Sequence, residues 1–441
     1  MGLHTFQGGV HPIEGKDLSK DKPIKELLPK GDLTFLMSQH IGAPAKPVVA
    51  KGDHVLRGQL LAEAGGFVSA PVFSSVSGTV KALEKHRNAT GDMVDAIIVE
   101  NDGQYEEVPY QETPDFHKLS KEAILKKIKD AGIVGMGGAG FPTHVKLAPK
   151  DPAKIDYIIA NCAECEPYLT CDYRMMVEHP EKLVRGMEII LSLFDNAKGI
   201  LAIENNKPDC LQKFSELVKD IPRITVAELQ TKYPQGGERQ IIHAVTGRDI
   251  NSKMLPADAG CIVDNVETIC AIDDAVTLGK PLMDRIFTVS GDAVTDPRNF
   301  KVLTGTSIRE ILDAADGLKA SAAKMISGGP MMGFAMFDLD VPVTKTTSAL
   351  LCFTEDEASK YETTPCINCG RCVDACPERL LPAHLSKLSE HGDKASFEKL
   401  YGLECIECGS CSYVCPARRP LAQEIRTMKK QILVDKRKQK K

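Results

Sequence analysis

Two cysteine runs constrain this chain more than any other feature. CINCGRCVDACP begins at Cys366 and CIECGSCSYVCP at Cys405. Both read C-x2-C-x2-C-x3-C-P, the spacing that holds a pair of [4Fe-4S] cubanes. Three cysteines at two-residue intervals wrap one corner of a cube and supply three thiolates. The fourth, carried past a turn by proline, points away and closes the other cube. Cys366, Cys369, Cys372 and Cys415 are therefore expected to hold cluster 1, and Cys405, Cys408, Cys411 and Cys376 cluster 2. Structural zinc pairs two C-x2-4-C elements around one ion and has no use for eight thiolates in a doubled pattern.

The remaining cysteines, Cys162, Cys165, Cys171, Cys210, Cys261, Cys270 and Cys352, read as small residues filling the interior. A disulfide framework belongs to small secreted domains. This chain has 441 residues, and its start, MGLHTFQGGVHPIEGKD, lacks a basic stretch followed by an apolar one. The Met-Gly start is a weak myristoylation match and is discounted. No apolar run approaches the roughly 18–20 residues that span a bilayer, so a cytosol-facing protein without a membrane span is expected. A net charge of -5 gives no reason to expect a nucleic-acid partner. The end, KKQILVDKRKQKK, reads as a solvated basic tail, with docking on an acidic partner or lipid surface as the alternative.

The cysteine-rich segment, 346–425, is one of several modules, as a chain of this length requires. Residues 1–30 form an extension. In 31–110, short apolar runs such as QLLAEA, GTVKAL and DAIIVE are broken by turn clusters, which predicts an all-β module. Its shape resembles the barrel-sandwich of lipoyl and biotinyl carriers, with the hairpin tip expected near Phe73–Ser75 and no lysine there to carry a cofactor. Residues 111–282 alternate buried-strand patterns (KIDYIIAN, KGILAIEN) with helical ones (RMMVEHPEKLVRGMEIILSLF, CLQKFSELVKDI), an α/β domain. Residues 283–345 read as a small β-grasp domain, and 426–441 as the basic tail. The fold class is therefore multidomain α/β plus β, with a two-cluster ferredoxin-like α domain.

Inside the α/β domain stands GMGGAGFPTHVK, residues 135–146. Gly135, Gly137 and Gly140 satisfy G-x-G-x-x-G, but that fingerprint follows a strand, whereas SKEAILKKIKDAGIV has helical periodicity. Three further segments offer ligand chemistry: NCAECEP after a strand, YPQGGERQ at 233–240, and DNVETICAI at 264–272. Each alone is a turn or a helix cap. Their joint order is more specific.

That order resembles the flavin- and NADH-binding subunit of respiratory complex I and its hydrogenase and formate-dehydrogenase relatives, in which similar segments surround FMN. Over nearly the entire chain the arrangement resembles the RnfC family of Rnf electron-transport complexes, down to ISGGPMMG at 326–333. The resemblance implies an NADH-dependent flavin and iron-sulfur oxidoreductase with FMN and two [4Fe-4S] clusters. It would be peripheral on the cytoplasmic side of a bacterial membrane. Its partners would be the other subunits of a membrane-bound complex, including a ferredoxin-like iron-sulfur subunit, and the whole would couple NAD and ferredoxin chemistry to Na+ or H+ transport. Gly135, Gly137, Gly138 and Gly140 would line FMN and its phosphate, with Lys146 beside them. Phe141 would stack on the nicotinamide nucleotide, and Asn161 would meet the isoalloxazine edge. Glu164 and Glu166 would face NADH. Tyr233, Gly236 and Glu238 would form the second wall, and Asn265 and Thr268 would hold the ribityl phosphate. Hydride transfer belongs to the cofactor, so no catalytic side chain is nominated. Met136, Ala163, Gly237 and Asp264 depart from the family pattern. A cobalamin reductase of propanediol utilisation, a soluble bifurcating dehydrogenase subunit and a flavin-free cluster scaffold are the alternative readings.

Overall fold

The computed structural model describes residues 3–439. The Met-Gly start and the last two lysines of the basic stretch lie outside the described residues.

The α/β module is built on four parallel strands, in spatial order Ile224–Leu229, Lys198–Glu204, Tyr157–Cys162 and Cys261–Asn265. Successive side chains leave a strand on opposite faces. Ile158, Ala160 and Cys162 accordingly enter one core, and Ile159 and Ala163 the other. Burial on both faces is why these strands read as continuous apolar runs. The chain winds outward in both directions from Tyr157–Cys162, so a crevice opens where this strand and Cys261–Asn265 end side by side. One helix is expected over 174–194, but the structure has two, Cys171–Glu178 and Pro180–Ser192. Pro180 has no N–H to continue the first and opens the second.

The barrel-sandwich pairs a sheet of Leu33–Leu36, Met93–Asn101, Gly78–Arg87 and His54–Val55 with one of Lys46–Pro47, Leu60–Glu63 and Val72–Phe73. The tip expected at Phe73–Ser75 is elsewhere. Ser74 and Ser75 are fully buried, and Ser75 Oγ donates to the Thr304 carbonyl at 2.6 Å. The exposed turn is Gly66–Phe67, in a 64–71 segment that also lacks lysine, and Phe67 is 82% exposed.

The β-grasp sheet has six strands and draws on distant chain. Lys25–Leu27, from the extension, pairs with Arg298–Leu303, and Ala349–Phe353, from the segment assigned to the cysteine-rich domain, lies beside Asp284–Ser290. The extension is a strap. His4 N donates to the Glu228 carbonyl at 3.0 Å, Val10 N to that of Tyr233 at 2.8 Å, and Gly9 N to that of Ala375 at 2.9 Å. The stretch expected as a solvated tail is the helix Leu421–Gln439. Leu421, Ile425, Met428 and Ile432 recur at helical spacing and are all buried, the last three against Leu385 and Phe397. Among the described residues no helix is long and apolar enough to cross a membrane.

Candidate functional site

The helix Lys121–Asp130 leads into the glycine loop, and only one turn, Thr143–Lys146, follows it. The loop is closed by its own backbone, with Gly135 N donating to the Phe141 carbonyl at 2.8 Å. Gly137, at φ +78°, lies flat against the end of the neighbouring strand. A Cβ there would come 2.9 Å from Asn265 Nδ2. Met136 N donates to Thr268 Oγ1 at 2.8 Å, which fixes the loop to the first turn of the helix Val266–Asp273. Asn265 caps that helix, its Oδ1 accepting from Glu267 N, while its amide donates to Asp172 Oδ2 at 2.7 Å.

Across the crevice Asn161 Nδ2 donates to the Gly236 carbonyl at 2.8 Å. Lys146 Nζ reaches Asp264 Oδ1 and the Val263 carbonyl, each at 2.8 Å. Burial alone would lower the Lys146 pKa, but the Asp264 carboxylate reverses this and holds it above the ordinary lysine value. Glu238 is solvent-accessible yet set among walls that desolvate it, and its pKa is raised despite Lys146. The glycine loop, Lys146, Asn161, Gly236, Glu238, Asn265 and Thr268 thus share one crevice, with Phe141 half-buried beside it.

Three other nominated residues are committed differently. Glu164 accepts from the N–H groups of Asp172 and Tyr173, with Lys16 Nζ at 3.8 Å. Glu166 accepts from Met331 N at 3.1 Å and Met332 N at 3.0 Å, in the loop of ISGGPMMG. Tyr233 is only 1% exposed, and it packs with Val10, Ala375 and Cys408 rather than in the crevice. The sequence nominates neither Asp264 nor Cys165, although both matter. Asp264 Oδ2 is buried without a partner. Cys165 Sγ accepts from Gly236 N at 3.3 Å, which puts it behind the crevice wall. Asp264 immediately precedes Asn265 at the end of a strand, and that position was the available signal.

The cysteines of the two runs exchange their last members. Cys376 lines one cavity with Cys405, Cys408 and Cys411. Cys372 has Cys415 and Cys366 as its electrostatic neighbours. Burial pushes the Cys405 thiol up to about 12 and raises Cys376, Cys408 and Cys411 as well. Metal loading, which requires thiolates, therefore releases protons here. Cys366 and Cys369 are exposed, flanking Ile367 at 66% exposure. Among the described residues no three such ligands meet closely enough for a single ion. Four soft sulfur donors spread around a space match an iron-sulfur cubane. The partnerless Asp264 oxygen, the lysine beside it and the glycine cradle match a flavin nucleotide.

The cavity of Cys376, Cys405, Cys408 and Cys411 is tied to the α/β domain. Arg239 Nη1 donates to Glu378 Oε2 at 2.6 Å and to Glu404 Oε2 at 3.1 Å. Glu404 also accepts from Ser252 N at 2.7 Å. A parallel sheet with a glycine-lined crevice, joined through packed side chains to a doubled cubane motif, defines a nucleotide-linked electron-transfer protein.

Comparison with known proteins agrees module by module. Matching domain families are the RnfC barrel sandwich hybrid domain over 4–104, the Nuo51 FMN-binding domain over 128–274, the SLBB domain over 286–335 and the 4Fe-4S dicluster domain over 365–419. The RnfC component of the proton-translocating ferredoxin:NAD(+) oxidoreductase complex of Clostridium ljungdahlii is 45% identical, covering 97% of this chain and 94% of that one. Its counterpart in the Na(+)-translocating complex of Acetobacterium woodii is 42% identical over 98% of both. The chain belongs to this RnfC family. The fold is also similar to that of an NAD+-reducing [NiFe]-hydrogenase chain in its air-oxidized state, at a TM-score of 0.52 and 21% identity, covering 71% of this chain and 64% of that one.

Proposed function

We propose that this chain is the NADH-oxidising and NAD-reducing subunit of a membrane-bound Rnf-type NAD:ferredoxin oxidoreductase, peripheral on the cytoplasmic face. The complex as a whole would couple electron flow to Na+ or H+ transport. The observation that carries this reading is the shared wall between crevice and cluster 2. Asn161 holds Gly236, Gly236 holds Cys165, and Cys165 packs with Tyr233 and Cys408.

FMN in the crevice would take a hydride from NADH and release its electrons singly, which iron-sulfur cubanes can carry. The chain's own residues position these groups. Backbone N–H groups of Gly137–Gly140 and the start of the helix Val266–Asp273 would receive the phosphate. Lys146 would neutralise charge, and Asp264 Oδ2, buried without a partner, would accept from a flavin or ribityl donor. Phe141 offers a stacking face to the nicotinamide nucleotide. Glu164 and Glu166 act from behind, fixing the strand end and the 328–333 loop. Cluster 1, with Cys366 and Cys369 exposed, is the port to a ferredoxin-like subunit, and Ile367 is an apolar contact for it.

The test is an anaerobic NADH titration of the cluster-loaded protein by absorbance and EPR. Bleaching of a flavin band together with reduced-cluster signals supports the reading. Clusters that respond only to dithionite, in protein without flavin, overturn it.

A further inference from the structure

Tyr233 is a polar group the pathway above leaves unused. Its ring is 1% exposed, and its hydroxyl is buried with no hydrogen-bond partner among the protein atoms. An unpaired buried hydroxyl costs about 1–3 kcal/mol, so the fold has a reason to keep it or a partner to supply. Phenylalanine would fill the same space at no such cost.

The Tyr233 side chain packs with Val10, Ala375 and Cys408, with Cys165 at the edge of the same group. No protein acceptor in this setting reaches the hydroxyl. Glu166 takes its hydrogen bonds from Met331 N and Met332 N, and Cys165 Sγ accepts from Gly236 N at 3.3 Å. Cys408 is different. As a cluster ligand it becomes a thiolate, and the cubane would bring further sulfide acceptors into the space around it.

We propose that the Tyr233 hydroxyl donates a hydrogen bond to an inorganic sulfide of cluster 2 and thereby raises the reduction potential of that cluster. A donor to a cluster sulfur stabilises the reduced state, which carries one more negative charge. Tyr233 is then a tuning residue for the cluster nearer the crevice. The proposal rests on Cys376, Cys405, Cys408 and Cys411 being a cluster site.

The test is a potentiometric EPR titration of Tyr233→Phe against the wild type, each carrying both clusters. The midpoint of one cluster is expected to fall, with the reduction equilibrium weakened roughly tenfold (59 mV for one electron), and the other to stay in place. A deuteron coupling seen on the reduced cluster 2 signal in D2O is expected to be lost from the variant. Two unmoved midpoints and an unchanged coupling overturn the proposal while leaving the cluster assignment intact. Failure of the wild type to take up a second cluster overturns the cluster reading itself. Should Tyr233→Phe fail to fold, wild-type protein grown on fluorotyrosine, whose more acidic phenol is the stronger donor, decides the matter. A rise in the midpoint of one cluster supports the proposal, and two unmoved midpoints overturn it.

Discussion

The two cysteine quartets have the same spacing and opposite surroundings. Cys405, Cys408, Cys411 and Cys376 line one cavity, and Cys408 packs with the strap residue Val10, with Tyr233 and with Met331 of the β-grasp loop. In the other quartet Cys366 and Cys369 are exposed and only Cys372 is buried. A shared local motif thus fixes ligation, while tertiary packing decides which cluster faces the flavin crevice and which faces outward. In the proposed pathway the sealed site is the internal relay and the open one the exit.

The largest expected effect separates relay from exit. Cys408→Ser should abolish NADH-driven reduction of cluster 1, whereas Cys369→Ser should leave cluster 2 reducible by NADH. Freeze-quench EPR of both variants checks this. Next in size, air or a chelator should strip cluster 1 first, on the order of tenfold faster than cluster 2, because exposure governs access. Loss of the two EPR signals over time measures it. Breaking the seal should then weaken the distinction. Arg239→Ala leaves Glu378 and Glu404 without their cation and should cost about 2 kcal/mol of interdomain stability. In a denaturant melt the cysteine-rich domain should unfold earlier, and cluster 2 should become nearly as labile as cluster 1.

The smallest effect is a pH dependence at Glu166, which holds the 328–333 loop through Met331 N and Met332 N. Burial raises the Glu166 pKa to about 7, against two backbone donors and Lys16, which lower it. The folded chain therefore holds this proton more tightly than the unfolded chain. The contribution is fully present below the unfolded pKa, near 4.5, and is lost as pH rises through about 7. Glu166→Gln should flatten stability between these limits by about 1–3 kcal/mol, as measured by denaturant midpoints across that pH range.

How much of this was legible in the sequence follows the range of the interactions. The cysteine runs and the glycine loop are local patterns, and each is found as a compact local unit of the fold. Parallel strands buried on both faces announce themselves as apolar runs. The strap does not, because its backbone contacts are isolated ones, His4 and Val10 with residues 228–233 and Gly9 with Ala375, and leave no periodic trace. The basic end misled because its charged residues outnumber the apolar stripe of Ile425, Met428 and Ile432. Tyr233 sits in a segment whose glycine turn does reach the crevice, yet its side chain faces the other way. Glu166 likewise reads as a crevice acid and is spoken for by a loop more than 160 positions along the chain.

The central claim is the order of electron flow, from NADH through the crevice to cluster 2 and then to cluster 1. Its most direct measurement is rapid freeze-quench EPR after anaerobic mixing with NADH, comparing wild type with Cys408→Ser at matched flavin content. The account predicts that the cluster 2 signal rises before that of cluster 1, and that cluster 1 stays oxidised in the variant while its flavin still bleaches. Prompt reduction of cluster 1 in protein lacking cluster 2 would contradict it.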